Sequence, residues 1–187
     1  VVYHAAGGTG IGVIQAAADA AWSTSGDAPT RLQFYTAPDG SASQQERMRI
    51  DHRGIITKPY QPAFLAHNNA SYNSNATINT GTVIDFFRST KFNRGNHYDA
   101  SNGYFVAPVA GIYYFNAVLS IRSSNTGVQI GYTVNSTSSS GLYYGGTDVL
   151  VFEASINGLN AGHPNGAMLM SLSAGDIVRL FNRSAAF

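Results

Sequence analysis

Apolar and polar residues alternate along much of the chain, which is the period-two pattern of half-buried strands. In the clearest example, Leu32 and Phe34 alternate with Arg31, Gln33 and Tyr35. The same pattern, interrupted by turn residues, predicts strands at 31–36, 46–50, 55–57, 83–87, 104–107, 111–121, 128–134, 149–154, 167–172 and 177–182. An alanine-rich stretch from Ile14 to Trp22 predicts the one helix.

The composition changes near the segment Lys58-Pro59-Tyr60-Gln61-Pro62. Asparagine is absent from residues 1–67 and frequent afterwards, and the two prolines indicate an extended connector. We therefore predict two domains, 1–60 and 61–187. The first has too few apolar residues for an independent core, so we expect identical copies to wrap together and supply the missing burial.

The surface is predicted to be rich in amides, hydroxyls and aromatic rings. The chain has 187 residues and a net charge of +1, and only 11% of its residues are charged, against about 25% in a typical soluble protein. This balance argues against a polybasic nucleic-acid site, and the absence of cysteine excludes disulfides. No apolar run reaches the roughly 18–20 residues of a membrane span. Such a composition fits extracellular or virion β proteins.

The strongest enzyme-like signal is the glycine-rich run from Tyr3 to Gly12, which precedes the alanine-rich stretch. It resembles the strand–turn–helix of a nucleotide-binding Rossmann unit, as in quinone reductases. The spacing lacks a clean Gly-x-Gly-x-x-Gly, and no acidic residue ends a second strand about 20 residues later, where the chain has Ala28-Pro29-Thr30-Arg31. The histidines are scattered, and no nucleophile elbow is present. We predict no catalytic residue, no cofactor and no metal, and keep a nucleotide-dependent oxidoreductase as the enzymatic alternative.

The most specific motif runs through the middle of the second domain. Its members are Phe87, Asn93, Tyr98, Phe105, Gly111, Tyr113 and Phe115, and it is accompanied by segments 62–66, 99–108 and 172–180. Their spacing and order resemble the globular head of complement 1q, the family related to tumour necrosis factor. The resemblance covers about 62–187.

That resemblance implies an all-β fold with a ten-strand-type jelly-roll head that forms homotrimers. It implies that the motif residues, with Gly175 and Asp176 at a late turn, build the fold rather than a site, and that Gly111 permits a tight return of the chain. Two departures stand out. Ala117 replaces an aromatic residue of the family pattern, and the final core strand of the family does not follow residue 182. We interpret the head as truncated.

Segments 22–40 and 46–56 resemble the shaft of bacteriophage tail fibres. The resemblance implies a short intertwined β-rich shaft at 1–60, a virion location and contact with other tail proteins. It also implies attachment to a host cell-surface glycan or protein, without nucleic-acid binding or membrane insertion. Because loops and tyrosines commonly carry binding, the candidate receptor contacts are Tyr72, Tyr143, Tyr144 and His163. The alternative is a structural capsid or fibre decoration protein that binds no host molecule.

Overall fold

The computed structural model describes residues 2–3, 12–23, 25–68, 81–122, 128–136, 151–154 and 161–183. Among these residues the regular structure consists of strands, without a helix, which confirms the predicted all-β class. The chain divides into two compact units, Val1–Gln61 and Pro62–Phe187.

The first unit is one antiparallel sheet in which each strand pairs with the next along the chain. Its strands are β1 (Val2–Tyr3), β2 (Gly12–Ala18), β3 (Thr30–Thr36), β4 (Gln45–Ile50) and β5 (Ile56–Thr57). Gln33 lies opposite Gln15 on one neighbour and Arg49 on the other, which places β3 at the centre of the sheet.

The helix predicted from Ile14 to Trp22 is wrong, because the alanine-rich stretch forms β2. Its seven residues pair with β3 from Gly12 opposite Thr36 to Ala18 opposite Thr30. The intrinsic preference of alanine for helices is a weak bias, and pairing with a neighbouring strand outweighs it here.

The same sheet overturns the nucleotide-binding alternative. Tyr3 at the end of β1 lies opposite Gly12 at the start of β2, so the glycine-rich segment joins two antiparallel strands. A dinucleotide site of this type requires a helix N-terminus after the glycines, and in this chain a strand takes that position.

The carboxylate of Asp19, the residue after β2, bonds the turn that follows β4. Its Oδ2 accepts hydrogen bonds from the backbone N–H of His52 at 3.0 Å and lies 2.7 Å from His52 Nδ1. Its Oδ1 lies 3.4 Å from the guanidinium of Arg31. The hydrogen bonds from His52 lower the pKa of Asp19 from 3.8 to about 2.

The second unit contains twelve of the described strands. They are β6 (Ala63–His67), β7 (Val83–Ile84), β8 (Ser89–Arg94), β9 (Tyr98–Asp99), β10 (Tyr104–Val106), β11 (Gly111–Val118), β12 (Ile121–Arg122), β13 (Val128–Val134), β14 (Val151–Ala154), β15 (Ala161–Gly162), β16 (Asn165–Leu172) and β17 (Ile177–Asn182). The large sheet has the order β14-β13-β17-β10-β9, with β7 also paired to β17. The pairs β11–β16, β6–β8 and β12–β15 are separate ladders.

The hydrophobic core lies between the large sheet and the smaller ladders. Ile130 and Val178 of the large sheet are buried in the same cluster as Phe115 and Met170 of the β11–β16 ladder. Inward and outward positions alternate along β11 and β16, as expected for strands of a sandwich.

Aromatic rings form the centre of this core. Phe64 of β6 stacks on Tyr98 with ring centroids 4.6 Å apart and on Phe105 at 5.4 Å. Phe105 meets Phe115 edge-on at 5.3 Å. These contacts connect β6 and β11 with the paired strands β9 and β10, so the rings join three separate ladders.

Hydrogen bonds hold Tyr98 in place at the edge of that cluster. The side-chain amide of Asn93 donates to the Tyr98 carbonyl at 2.8 Å, and its oxygen accepts from the Tyr98 N–H at 3.2 Å. The Tyr98 hydroxyl donates to the Phe87 carbonyl at 2.8 Å. Burial raises the pKa of Tyr98 to about 12. The fixed spacing of Phe87, Asn93 and Tyr98 thus reflects a closed set of backbone contacts.

The turn into β17 is fixed by reciprocal side-chain bonds. Asp176 accepts from the Ser173 N–H at 2.7 Å and from the Asn135 side-chain amide at 2.8 Å, which lowers its pKa. Asn135 in turn accepts from the Ile177 N–H at 2.9 Å. Gly175 precedes this aspartate with a φ of +88° and donates its N–H to the Ala107 carbonyl at 2.8 Å.

The expectation that Gly111 permits a tight return is wrong. Gly111 begins β11 without a positive φ, and a Cβ atom there would meet only the Tyr113 ring at the ordinary distance of 3.8 Å. The demanding position is Gly103, whose φ is +70° and whose Cβ would stand 2.8 Å from the Asp85 backbone. Only glycine satisfies both conditions.

We predict that Gly103→Ala lowers the free energy of unfolding of the second unit by about 3 kcal/mol, since it adds a backbone clash to an unfavourable φ. Gly175→Ala is the matched control, because its φ is also positive but no atom lies within 4 Å of the new Cβ. The control should lose only about 1 kcal/mol. Equal losses for the two variants, measured by chemical denaturation, would contradict the close approach at Asp85.

We predict that Asp19 makes the first unit sensitive to acid. Its pKa is lower in the folded chain than the usual 3.8, so its contribution to stability is complete above that value and is lost as the pH falls toward 2. Asp19→Asn should flatten the dependence in this window, whereas Asp39→Asn, in an exposed turn, should leave it unchanged. Trp22, the single tryptophan, reports on this unit by fluorescence. Identical acid profiles for both variants would refute the prediction.

Candidate functional site

The outer face of the β11–β16 ladder carries large apolar side chains in solvent. Ile112, Tyr114 and Val118 of β11 are 74%, 65% and 61% exposed, and Leu169 of β16 is 68% exposed. Tyr114 and Leu169 lie directly opposite each other in the ladder. We call these four residues the outer patch.

The outer patch is surrounded by uncharged residues of the same face. Asn116 lies opposite Ala167 and Ile112 lies opposite Ser171, so the ladder presents no charge outward along its length. Soluble monomers seldom expose a continuous apolar surface of this kind, and such surfaces mark protein interfaces. The patch is therefore a candidate contact with another polypeptide.

A groove of about 500 Å³ opens between β6 and β11. Phe64 and Ala66 line one wall, and Phe115 and Ala117 line the other. Its walls reach the aromatic core through Phe105. We call this cavity the edge groove. The small side chain of Ala117 lines this groove from the inward side of β11.

The sheet of the first unit has one apolar face. The register places on that face the side chains of Ile14, Ala16, Leu32, Phe34, Met48, Ile50 and Ile56. Ile14 and Ile56 are 44% and 55% exposed, and the described residues of this unit form a single layer that leaves the face uncovered. This apolar sheet face is a second candidate interface.

The opposite face of the same sheet is polar and internally satisfied. Gln33 at its centre is 2% exposed and donates to Glu46, and Arg49 forms a salt bridge with Glu46 at 2.8 Å. The hydrogen bond from Arg49 is the main reason that the pKa of Glu46 is lowered. The two faces therefore differ in polarity, and the apolar face is the one that requires a second layer of protein against it.

The structure describes one of the four predicted receptor contacts. His163 is exposed on the segment between β15 and β16, beside the buried Pro164, whose carbonyl accepts the Leu119 N–H at 3.0 Å. Tyr72, Tyr143 and Tyr144 lie outside the described residues. The role of these four residues as receptor contacts therefore stays a prediction.

The predicted motif residues lie in the scaffold. Phe105, Phe115, Tyr98 and Tyr113 belong to or pack on the core cluster, and the Tyr113 hydroxyl donates to the Val109 carbonyl at 2.7 Å just before β11. Asn93, Gly111, Gly175 and Asp176 occupy the strand and turn positions described above, and Phe87 packs against the core from the segment between β7 and β8.

The outer patch was not predicted, although its signal is present in the sequence. Successive side chains of a strand point to opposite faces. Within β11, Ile112 and Tyr114 point to one face, and Tyr113 and Phe115 point to the other. A strand that is apolar at both parities is typical of burial on both faces, so the missed inference was a second covering layer.

Within the described ranges, no three His, Cys, Asp or Glu side chains are grouped so that they could hold a metal ion. Helices with the length and apolar character to cross a membrane are also absent from that part of the chain.

Comparison with known proteins agrees with this geometry. A family model described as the C1q domain matches residues 63–185. The chain belongs to the C1q domain family. A solved structure, the globular domain of zebrafish complement 1qA protein, superposes with a TM-score of 0.50 at 18% sequence identity, covering 66% of this chain and 80% of that chain. At this identity the likeness shows the fold alone. No curated protein matches the chain.

The C1q match confirms the jelly-roll head predicted from the motif between Phe87 and Phe115. The matched range begins at Ala63, the first residue of β6, and extends past the end of β17. The outer patch and the edge groove are therefore features of the C1q domain of this chain. The tail-fibre resemblance concerns residues before that range and stays a prediction.

Proposed function

We propose that this chain is the distal part of a homotrimeric bacteriophage tail fibre, in which the C1q head attaches the virion to a glycan or protein of the host surface. Domains of this family typically form trimers, are typically extracellular and generally act as binding modules without catalytic activity. The observation that carries the proposal is the pair of uncovered apolar surfaces, one in each unit of the chain.

The outer patch supports the trimeric head. Ile112, Tyr114, Val118 and Leu169 form a surface of aromatic and aliphatic side chains without charge, which is the composition of an interface core. Packing one copy of the ladder against the next would remove all four side chains from water. The gain is about 25 cal/mol for each Å² of apolar surface buried.

The apolar sheet face supports the intertwined shaft. A sheet with one apolar face must bury that face against another element, and the described residues of the first unit form one sheet without a second layer. Three copies that turn their apolar faces toward a shared axis would create the missing core, and the polar network around Gln33, Glu46 and Arg49 would remain outside. An assembly that buries much of the surface of each copy also agrees with the low charge of the chain, in which 11% of residues are charged.

The presence of three heads in one trimer would strengthen adhesion. A trimer presents three identical binding surfaces, and simultaneous engagement strengthens weak individual contacts by about 10²–10⁴. Tyr72, Tyr143, Tyr144 and His163 remain the proposed contacts. The adhesive role is the part of the proposal that rests on resemblance, so it requires its own test.

The trimer proposal predicts that Leu169→Lys weakens self-association, because it places an unpaired charge in the interface. An interface residue of this kind contributes about 2 kcal/mol, so association should weaken by roughly 30-fold per contact. Val109→Lys is the control, since Val109 is 61% exposed but lies outside the ladder. Sedimentation at a series of concentrations measures both. If the two variants associate like the unaltered chain, the outer patch is not the interface.

The adhesion proposal predicts that the fluorescently labelled chain binds one class of bacterial surface polysaccharide on a glycan array. At equal head concentration, the Leu169→Lys variant should bind about 10² times more weakly or worse, because it loses avidity. A chain that is trimeric yet binds no polysaccharide and no bacterial cell would contradict attachment and favour a structural decoration protein.

A further inference from the structure

Four polar side chains form a row across the outer face of the large sheet. The row consists of Thr133 of β13, Arg179 of β17, Tyr104 of β10 and Asp99 of β9. Each of them is next in sequence to a residue of the core cluster, so its side chain points away from the core. Thr133 lies directly opposite Arg179, and Tyr104 lies directly opposite Asp99. We call these four residues the polar row.

The guanidinium of Arg179 is held in place by an aromatic ring. It lies 4.6 Å from the centre of the Tyr104 ring, which is a cation–π contact. Among the described residues it donates no hydrogen bond and pairs with no carboxylate. A guanidinium stacked on a ring keeps the N–H donors of its edges, which form a planar fork that matches a carboxylate. The stack therefore presents an oriented cation whose donors no described residue uses.

Asp99 does not neutralise this cation, because its carboxylate is occupied by its own turn. It accepts from the Ser101 N–H at 2.8 Å, and from the N–H and the side-chain amide of Asn102 at 3.2 and 2.8 Å. A hydrogen bond with Asp99 also raises the pKa of Tyr104. These four donors fill the acceptor positions of one carboxylate. Asp99 therefore orients Tyr104 and leaves the charge of Arg179 for a ligand.

The hydroxyl of Thr133 is the second unused group of the polar row. Thr133 is 1% exposed, and its Oγ1 has no hydrogen-bond partner among the described residues. A buried hydroxyl without a partner is unfavourable, so a ligand that bonds it gains stability. Opposite residues of an antiparallel ladder have Cβ atoms about 5 Å apart, so one small acceptor group can bond both Thr133 and Arg179. Ile177 and Phe181, on the same face of β17, are apolar and strengthen the attraction of an anion to Arg179.

We propose that Arg179 and Thr133 form a subsite for the carboxylate of a hexuronate sugar. The guanidinium would donate to one carboxylate oxygen and the threonine hydroxyl to the other, while Tyr104 positions the guanidinium. The choice of a sugar rests on the attachment to a host glycan proposed above. Neither Arg179 nor Thr133 is among the receptor contacts predicted from the sequence.

The position of the polar row favours a sugar acid over a peptide. β17 lies inside the sheet between β13 and β10, so its main-chain groups are used by the two ladders. Extended peptides are recognised largely through the main chain of a free strand edge, which the polar row does not provide. The negative charge of Asp99 at the end of the row also disfavours a doubly charged phosphate. A ligand with a single planar carboxylate, read by side chains, fits these conditions best.

The test titrates the whole chain with a trisaccharide of galacturonate and follows the signals of the Thr133 amide and the Arg179 side chain by NMR. We expect a Kd on the order of 1 mM for each head. Arg179→Gln should weaken binding about tenfold or more, because it removes a charged donor. Thr133→Val should weaken it about fivefold while the melting temperature is retained, because only the unpaired hydroxyl is lost.

Arg94→Gln is the matched control, since it removes the same charge from an exposed position on β8. It should bind the trisaccharide like the unaltered chain. Absence of binding at about 10 mM trisaccharide would overturn the proposal, and so would equal binding by the Arg179→Gln variant. If that variant does not fold, equal binding by Thr133→Val has the same meaning.

Three further ligands test the chemical class. Equal binding of an uncharged galactose trisaccharide would overturn the role of the carboxylate. Tighter binding of a glutamate tripeptide or of inorganic phosphate would overturn the assignment to a sugar acid.

Adsorption to bacterial cells separates this subsite from the proposed attachment. A chain that binds the trisaccharide at Arg179 but adsorbs to no cell would support the subsite and contradict attachment. A chain that binds no trisaccharide, yet adsorbs to cells equally with and without Arg179→Gln, would overturn the subsite and leave attachment standing.

Discussion

A strand that is apolar at both parities must be covered on both faces, and β11 is the strand on which this structure depends. Its inward side carries Tyr113 and Phe115 into the aromatic core, and its outward side exposes Ile112 and Tyr114. One chain satisfies the first face only. The same condition applies to the first unit, whose described residues form a single sheet with one apolar face. Association of copies is thus the simplest way for both units to complete their hydrophobic cores.

The polar interactions of the head have a different task, which is to fix the positions of turns. The side chain of Asn93 bonds both the N–H and the carbonyl of Tyr98. Asn135 donates to Asp176 and accepts from the first N–H of β17, and Asp176 accepts from the N–H of Ser173, just after β16. Each of these side chains satisfies main-chain groups that no ladder reaches. Because the turns are held independently of the outer surfaces, the scaffold can keep its shape while its exposed faces bind partners.

The sequence predicts the strands of the head well where alternation is strong. The predicted ranges 128–134 and 177–182 coincide with β13 and β17, since both strands lie in the large sheet, where one parity faces the core. The alanine-rich β2 was missed because its pattern is uniform, and pairing with β3 decides its conformation. Gly111 was misjudged because the backbone angle that demands glycine belongs to Gly103, and a motif does not reveal φ.

The candidate sites were less predictable than the fold, for a spatial reason. The edge groove depends on β6 lying across from β11, an arrangement that the spacing of residues in the sequence does not reveal. The outer patch combines residues more than fifty positions apart, Ile112 and Leu169, which only the register of the ladder brings together. Residues 112–115 of β11 carry a local sign of this surface, because apolar side chains occupy both sides of the strand, but the contribution of Leu169 follows only from the pairing of distant strands.

The most direct measurement is the absolute mass of the intact chain in solution, determined by light scattering during size-exclusion chromatography. If uncovered apolar faces are closed by copies of the chain, the mass will be close to three times 19.8 kDa and will persist on dilution to the nanomolar range. A stable, well-folded monomer of 19.8 kDa would contradict the account, because no second copy would then cover the two apolar faces.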